Sequence, residues 1–145
     1  LNTPGGVGAG LYRGGYGSIR EYEILADDTV LSASYGRSIE KPWARDGGKE
    51  GSCNYFELQV GNEARRMARA PTTIMKRGDV IRMITGGGGG YGDPFARAAG
   101  EVLEEVRAEY ITAEQAREDY GVVIAADGRN IDVAGTMKLR DGPVA

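Results

Sequence analysis

The chain has 145 residues with a net charge of −3, an apolar content of 41% and 24 glycines. This length fits one domain of ordinary size, and the apolar fraction is enough to build a core. The acidic balance argues against a nucleic-acid-binding protein, and without a run of 18 apolar residues we expect no membrane-spanning helix. The glycines follow no Gly-X-Y repeat, which excludes a collagen-like chain.

The chain has one cysteine, Cys53, and no histidine. A single cysteine cannot form an internal disulfide and suits a reducing compartment, so we expect a cytoplasmic protein. Without histidine the chain lacks the usual general base and the usual zinc ligand. The adjacent acidic pairs, Asp27-Asp28 and Glu104-Glu105, diverge on a strand or a helix, so we predict no metal-binding residue in this chain.

The first half of the chain opens in a glycine-dense loop, residues 1–17, and then takes on strand patterns. Residues 18–25 and 29–35 are rich in β-forming residues, and the short acidic turn between them predicts that they pair as a hairpin. The following polar loop holds the single tryptophan, Trp43. We predict that its ring anchors this loop by burial, and the alternative is a contact with a partner.

Two further strand patterns lead to a run of glycines. Residues 54–60 alternate between polar and apolar side chains, which predicts a half-buried strand that continues weakly over 64–70. Residues 79–85 predict a short apolar strand that ends at the glycine run.

After Pro94 the pattern becomes helical. Apolar residues recur at helical spacing from Val102 to Tyr110, with charged residues between them. Thr112 and Gln115 have the form of a capping box that opens a second helix through Arg117, and Gly121 suits the left-handed position that ends it.

The last segment of the chain carries weaker signals. Residues 122–124 predict a strand, Asp127-Gly128 a tight turn and residues 131–140 a weak helix, before a frayed tail at 141–145. The sequence therefore predicts a mainly β fold with α. We expect a glycine-rich β-sheet or barrel-like body over residues 1–94, followed by a small C-terminal helical and turn segment over residues 95–145.

The glycine run is the main candidate site, and we interpret it as a loop that is structural or frames an active site: Gly86, Gly87, Gly88, Gly89, Gly90, Tyr91, Gly92 and Asp93. It contains a GxGxxG spacing, but no helix starts at the last glycine and no Gly-Lys-Ser/Thr follows, as nucleotide loops require. We predict a tight turn or close backbone packing. The alternative is an anion held on backbone amides beside Arg82 and Arg97.

Three stretches resemble the hydantoinase B/oxoprolinase family. Residues 8–22 (GAGLYRGGYGSIREY) resemble its GGAGxxRGGxGxxREY stretch, and residues 85–94 (TGGGGGYGDP) resemble its TPGGGGYGDP stretch. Residues 102–123 resemble its VxxDVxxGxVSxExARxxYGVV ending. Thr85 is followed directly by glycine where the family usually has proline, and Glu109-Tyr110 stand where a glycine is common.

The resemblance implies that this chain is the C-terminal part of a longer B-type subunit. Such a subunit works with the remainder of its own chain and with an A-type, actin-like ATPase subunit on a small cyclic amide or ketone. ATP and a divalent metal are expected in the whole complex, and the resemblance carries over no catalytic or cofactor-binding residue to this chain. The resemblance favours an ATP-dependent amidohydrolase of the hydantoinase or 5-oxoprolinase kind. The alternatives are an ATP-dependent acetone or acetophenone carboxylase and a non-catalytic assembly module.

Overall fold

The computed structural model describes residues 6–61 and 63–141, and these residues form six strands followed by helices. The strands are β1 (Ile19–Glu23), β2 (Thr29–Ser34), β3 (Tyr55–Val60), β4 (Glu63–Met67), β5 (Arg69–Met75) and β6 (Val80–Ile84). A 3-10 turn (Pro94–Ala96) leads to α1 (Ala99–Arg107), α2 (Ala113–Tyr120) and α3 (Val133–Arg140). The mainly β fold with α is confirmed. The division into units 1–94 and 95–145 stays a prediction.

The strands form two antiparallel sheets, one of four strands in the order β1-β6-β3-β4 and one that pairs β2 with β5. The predicted hairpin of residues 18–25 and 29–35 is therefore wrong, because its two arms lie in different sheets. Beyond β1, the Ile24 amide still bonds to Asp79 O at 2.8 Å, so the first arm follows β6 to its end. The turn at residues 26–28, with Asp28 at φ 57°, then directs the chain to the second sheet.

One hydrophobic cluster lies between the two sheets. The alternation of β3 buries Phe56 and Leu58, and both pack with Met75 of β5 and Ile81 of β6. Tyr35 stacks on Phe56 with ring centroids 4.3 Å apart. The period of two in the sequence predicts this buried face because successive side chains of a strand point to opposite sides.

A second hydrophobic cluster joins the helices to the glycine-dense opening. Val102, Ala116, Tyr120 and Val122 are buried together with Ala9. The predicted capping box at Thr112 is present, and Gly121 adopts the left-handed conformation at φ 64°. No helix of the described residues is long and apolar enough to cross a bilayer.

Two predictions for the C-terminal segment need correction. The second helix runs to Tyr120 rather than Arg117, since the buried Tyr120 ring completes its apolar face. Residues 122–124 form no strand and make only the isolated bridge from Ile124 to Ile131, because Val122 is already buried against the helices. The weak helix is confirmed as α3, and residues 142–145 of the predicted frayed tail lie outside the described residues.

A buried charge cluster ties the helices to the body. The Glu105 carboxylate accepts from Arg13 at 2.6 Å and from Arg97 at 2.9 Å. The Arg13 guanidinium lies over the Tyr16 ring, 4.5 Å from its centroid. Burial raises the pKa of Tyr120 beside this cluster to about 12, so its hydroxyl stays neutral at physiological pH.

Replacing Glu105 by alanine tests this cluster. The change leaves two arginines at a site where only about a tenth of the Glu105 side chain is exposed. We expect a loss of about 3 kcal/mol in the free energy of unfolding, measured by urea denaturation. Glu104→Ala is the control, since it removes an exposed pair with Arg107 and is expected to cost at most about 1 kcal/mol. Equal losses for the two variants would contradict the structural role of Glu105.

Two left-handed glycines provide a matched test of the helical packing. A Cβ on Gly121 would lie 2.6 Å from the Phe95 ring, whereas a Cβ on Gly128 (φ 67°) would meet nothing within 4 Å. Both alanine variants carry a backbone penalty of about 1 kcal/mol. We expect Gly121→Ala to cost about 1–3 kcal/mol more than Gly128→Ala in thermal unfolding because it also overpacks the Phe95 ring. A smaller or reversed difference would show that the ring is not held there.

Candidate functional site

The glycine run after β6 is enclosed by other extended segments of the chain. Its neighbours are the opening residues 6–18 on one side and residues 42–54 on the other. These segments are not strands, yet they exchange backbone hydrogen bonds with the run along its length. We refer to residues 6–18, 42–54 and 85–92 together as the glycine bundle.

One series of bonds between the run and the opening segment repeats every third residue. They join Thr85 N to Ser18 O, Gly88 N to Gly15 O and Tyr91 N to Tyr12 O, each at 2.9 Å. An antiparallel sheet bonds every second residue, whereas three residues per turn is the period of the polyproline II helix. The register of these bonds continues that of β1 on β6, where Ile19 pairs with Ile84. The run is therefore a prolongation of β6 in which the period changes from two to three.

The same change occurs on the other side of the run. Gly90 N donates to Lys49 O at 2.9 Å and Ser52 N donates to Gly87 O at 3.1 Å, again three residues apart on both segments. This register continues the pairing of β3 with β6. Strands β1, β6 and β3 of the large sheet thus extend directly into the glycine bundle.

Close approach of backbone explains why the run consists of glycine. A Cβ on Gly86, Gly87, Gly89 or Gly90 would overlap a backbone oxygen of a neighbouring segment, and these oxygens belong to Ser52, Gly6, Trp43 and Ala9 respectively. Two of these glycines thus face the opening segment, and the other two face residues 42–54. A Cβ on Gly88 would lie 3.4 Å from Gly15 N, which is an ordinary contact. The prediction of close backbone packing is confirmed.

The same bonds leave little capacity for an anion. The amides of Gly86, Gly87, Gly88 and Gly90 all donate within the protein, and so do those of Tyr91 and Gly92. Arg82 pairs with Glu21 at 2.6 Å, and Arg97 pairs with Glu105. A phosphate on this loop would have to displace these partners, so the geometry does not favour the anion alternative.

The side chains next to the run have local structural roles or face outward. Asp93 Oδ1 accepts from Phe95 N at 2.9 Å and caps the 3-10 turn. Tyr91 bonds to Asp46 through its hydroxyl, and this bond raises the pKa of Tyr91. Trp43 is 63% exposed, so the prediction that its ring anchors the loop is wrong. Its carbonyl oxygen, rather than its ring, makes the close contact with Gly89.

The described residues hold no group of three or more cysteine, aspartate and glutamate side chains that could bind a metal ion. Of the adjacent acidic pairs, Asp27 accepts from Arg77 N, while Glu104 and Glu105 pair with arginines. Whether the loop from Gly86 to Asp93 frames an active site stays a prediction.

A model of the hydantoinase B/oxoprolinase family matches residues 2–94. The chain belongs to this family. The predicted resemblance is thereby confirmed, and the family match covers the glycine bundle and both sheets.

Named relatives include two bacterial proteins. The chain is 35% identical over 135 residues to the B subunit of a putative D-/L-hydantoinase from Pseudomonas sp. strain NS671, covering 90% of this chain and 22% of the relative. It is 32% identical over 140 residues to the beta subunit of caprolactamase from Pseudomonas jessenii, covering 92% and 24%. The chain thus spans about a quarter of the length of these relatives.

Two solved structures share the fold. The ATP-dependent caprolactamase from Pseudomonas jessenii superposes with a TM-score of 0.79 at 29% identity, over 92% of this chain and 24% of that one. The nucleotide-free structure of acetone carboxylase superposes with a TM-score of 0.75 at 24% identity, over 94% and 23%. At that identity the second match shows the fold alone.

Neighbouring glycines give a matched test of the bundle. We expect Gly89→Ala to destabilise the protein by at least about 3 kcal/mol, because the new methyl group overlaps the Trp43 carbonyl and the backbone must move. Gly88→Ala is expected to change the free energy of unfolding by about 1 kcal/mol or less. Chemical denaturation of both variants measures the difference. A tolerated Gly89→Ala would contradict the packing described here.

Proposed function

We propose that this chain is the C-terminal part of the B-type subunit of an ATP-dependent amidohydrolase that acts on cyclic amides. One observation carries the proposal. Relatives at 35% and 32% identity over nearly the whole chain are named for enzymes of hydantoin and caprolactam, both of which are cyclic amides. The matching structure of caprolactamase is itself described as ATP-dependent.

The proposed chemistry overcomes the low reactivity of an amide. Resonance gives the C–N bond partial double-bond character, which makes the carbonyl carbon a poor electrophile. Transfer of the γ-phosphoryl group of ATP to the amide oxygen would end that resonance and release ADP. Water could then add to the carbon, the ring C–N bond would break and phosphate would leave. A divalent metal is expected to accompany ATP on an A-type, actin-like partner subunit in the cytoplasm.

Within this enzyme we assign the chain a framing and subunit-contacting role. Residues 86–90 of the central run present backbone alone, and most of their amides are already bonded. Beside the run, Arg13 and Arg97 are paired with Glu105, and Lys49 is paired with Asp119. The groups that transfer protons are therefore expected in the remainder of the complete subunit.

The runner-up function is an ATP-dependent ketone carboxylase. The observation that favours it is the fold shared with acetone carboxylase at a TM-score of 0.75. Phosphorylation of an enol oxygen would serve that reaction as phosphorylation of an amide oxygen serves hydrolysis. A non-catalytic assembly module is the third alternative.

The test uses the complete subunit, purified with its ATPase partner. We expect ADP release to require a cyclic amide such as hydantoin, 5-oxoproline or caprolactam, and the opened amino acid product to appear in equal amount. The control reaction supplies acetone with bicarbonate. Carboxylation of acetone without amide hydrolysis would establish the runner-up, and failure to associate with any ATPase subunit would contradict both enzymes.

A further inference from the structure

The segment from Tyr12 to Glu23 forms one outer edge of the molecule. Its first part belongs to the glycine bundle and its second part is β1, which pairs with β6 on one side. Among the described residues no segment pairs with the other side of β1. All five residues of β1 are exposed.

The hydrogen-bond register shows which backbone groups of this edge are open. Ser18 O accepts from Thr85 N, and Ile24 N donates to Asp79 O, so even-numbered residues face β6. Because antiparallel strands alternate in this respect, the amides and carbonyls of the odd-numbered residues point outward. The outward residues are Ile19, Glu21 and Glu23.

Apolar and aromatic side chains of the edge are exposed beside its charges. Ile19 is 42% exposed and Tyr22 is 48% exposed, and Tyr12 at the start of the edge is 67% exposed. Natural edge strands are commonly protected by charges, and β1 carries Arg20, Glu21 and Glu23, of which Glu21 is paired with Arg82 at 2.6 Å. Exposed apolar side chains beside open backbone groups are suited to the addition of another strand.

Gly15 provides an independent indication. Neighbouring Gly14 and Gly17 must be glycine because a Cβ would overlap the carbonyls of Gly88 and Thr85. A Cβ on Gly15 would meet nothing within 4 Å, and its φ is not positive. Its amide makes no hydrogen bond to the described residues. Ordering a glycine costs about 0.5–1 kcal/mol relative to alanine, and the described chain gives no steric reason for it.

We propose that an extended segment of the same subunit, outside residues 1–145, completes this edge. This segment pairs with β1 through the outward backbone N–H and C=O groups of Ile19, Glu21 and Glu23. Its backbone also lies against Gly15, as closely as other backbone segments lie against the glycines of the bundle. The inference rests on the proposed function, in which this chain is part of a longer subunit. The relatives, of which it spans 22% and 24%, carry enough additional sequence. A tethered segment also has an effective concentration in the millimolar range, which favours it over a second copy.

Hydrogen exchange of the complete subunit in its complex, resolved to single amides, tests the proposal. We expect the amides of Ile19, Glu21 and Glu23 to exchange at least about 100-fold more slowly than exposed loop amides, as those of Arg20 and Tyr22 do. Fast exchange of the three odd-numbered amides beside slow exchange of the two even-numbered ones would show an open edge and overturn the proposal. Protection that disappears on dilution would assign the edge to a second copy and overturn the proposed occupant.

Substitutions locate the added segment. Glu23→Pro removes one outward N–H and leaves the bonds to β6 in place, and Glu23→Ala is its control. We expect the proline variant to lose protection at Ile19 and Glu21 by at least about tenfold, and the alanine variant to keep it. Equal protection in the two variants would count against backbone pairing.

Two glycines decide the question if the proline variant fails to fold. Gly15→Val is compared with Gly36→Val, because a Cβ on Gly36 also meets nothing within 4 Å and its φ is not positive. We expect faster exchange around residues 12–16 for the first variant alone, and equal behaviour would overturn the close approach at Gly15. None of these readouts is enzymatic. An inactive complex with a protected edge would refute the proposed hydrolysis of cyclic amides, but not the longer subunit on which this inference rests.

Discussion

The constraint on which this structure depends is the position of four backbone oxygens around the glycine run. Those of Ser52, Gly6, Trp43 and Ala9 stand where the Cβ atoms of any other residue would be. Packing of this kind contributes hydrogen bonds and dispersion but little apolar burial, and glycine has the largest conformational entropy to lose. The bundle is therefore expected to depend on the rest of the chain for its stability.

Two hydrophobic clusters supply that support from opposite ends. The run directly follows β6, and Ile81 of β6 packs with Phe56 and Leu58 between the sheets. Toward its other end, Ala9 of the bundle is buried with Val102 and Tyr120 of the helices. Because β3 and β6 lead directly into the bundle and Ala9 belongs to it, the glycine backbone is held at each end. The Glu105 cluster adds a polar link between the helices and Arg13, which directly precedes Gly14 and Gly15 of the bundle.

The sequence carried enough information for most elements and for one of the two cores. The alternation around Phe56 and Leu58 predicted β3 and its buried face, and the Thr112 box with Gly121 predicted α2. Both signals are local, since they depend on side chains a few residues apart. The hairpin prediction failed because strand pairing is decided by distant partners, and a short turn is compatible with strands that separate into two sheets.

Local sequence patterns did not predict the hydrogen-bonding pattern of the glycine bundle. Its period of three is set by oxygens on other segments, and glycine has no side chain in which such a period could be recorded. Two pairs of glycines three residues apart reflect this period in the sequence. They are Gly14 with Gly17 in the opening segment and Gly48 with Gly51 in the neighbouring segment. The Trp43 prediction failed for a related reason, because the backbone rather than the ring makes the close contact.

The structure of the glycine bundle limits what it can contribute to an enzyme of this family. Since most amides of the glycine run are already bonded within the protein, substitutions at its centre are expected to act through structure. Rigid positioning is what such a frame can contribute, because a misplacement of about 1 Å in a remote scaffold can cost about 100-fold in rate. The chemistry is then free to differ among members with the same frame. The similarity of this chain to both a caprolactamase and an acetone carboxylase fold follows naturally from that separation.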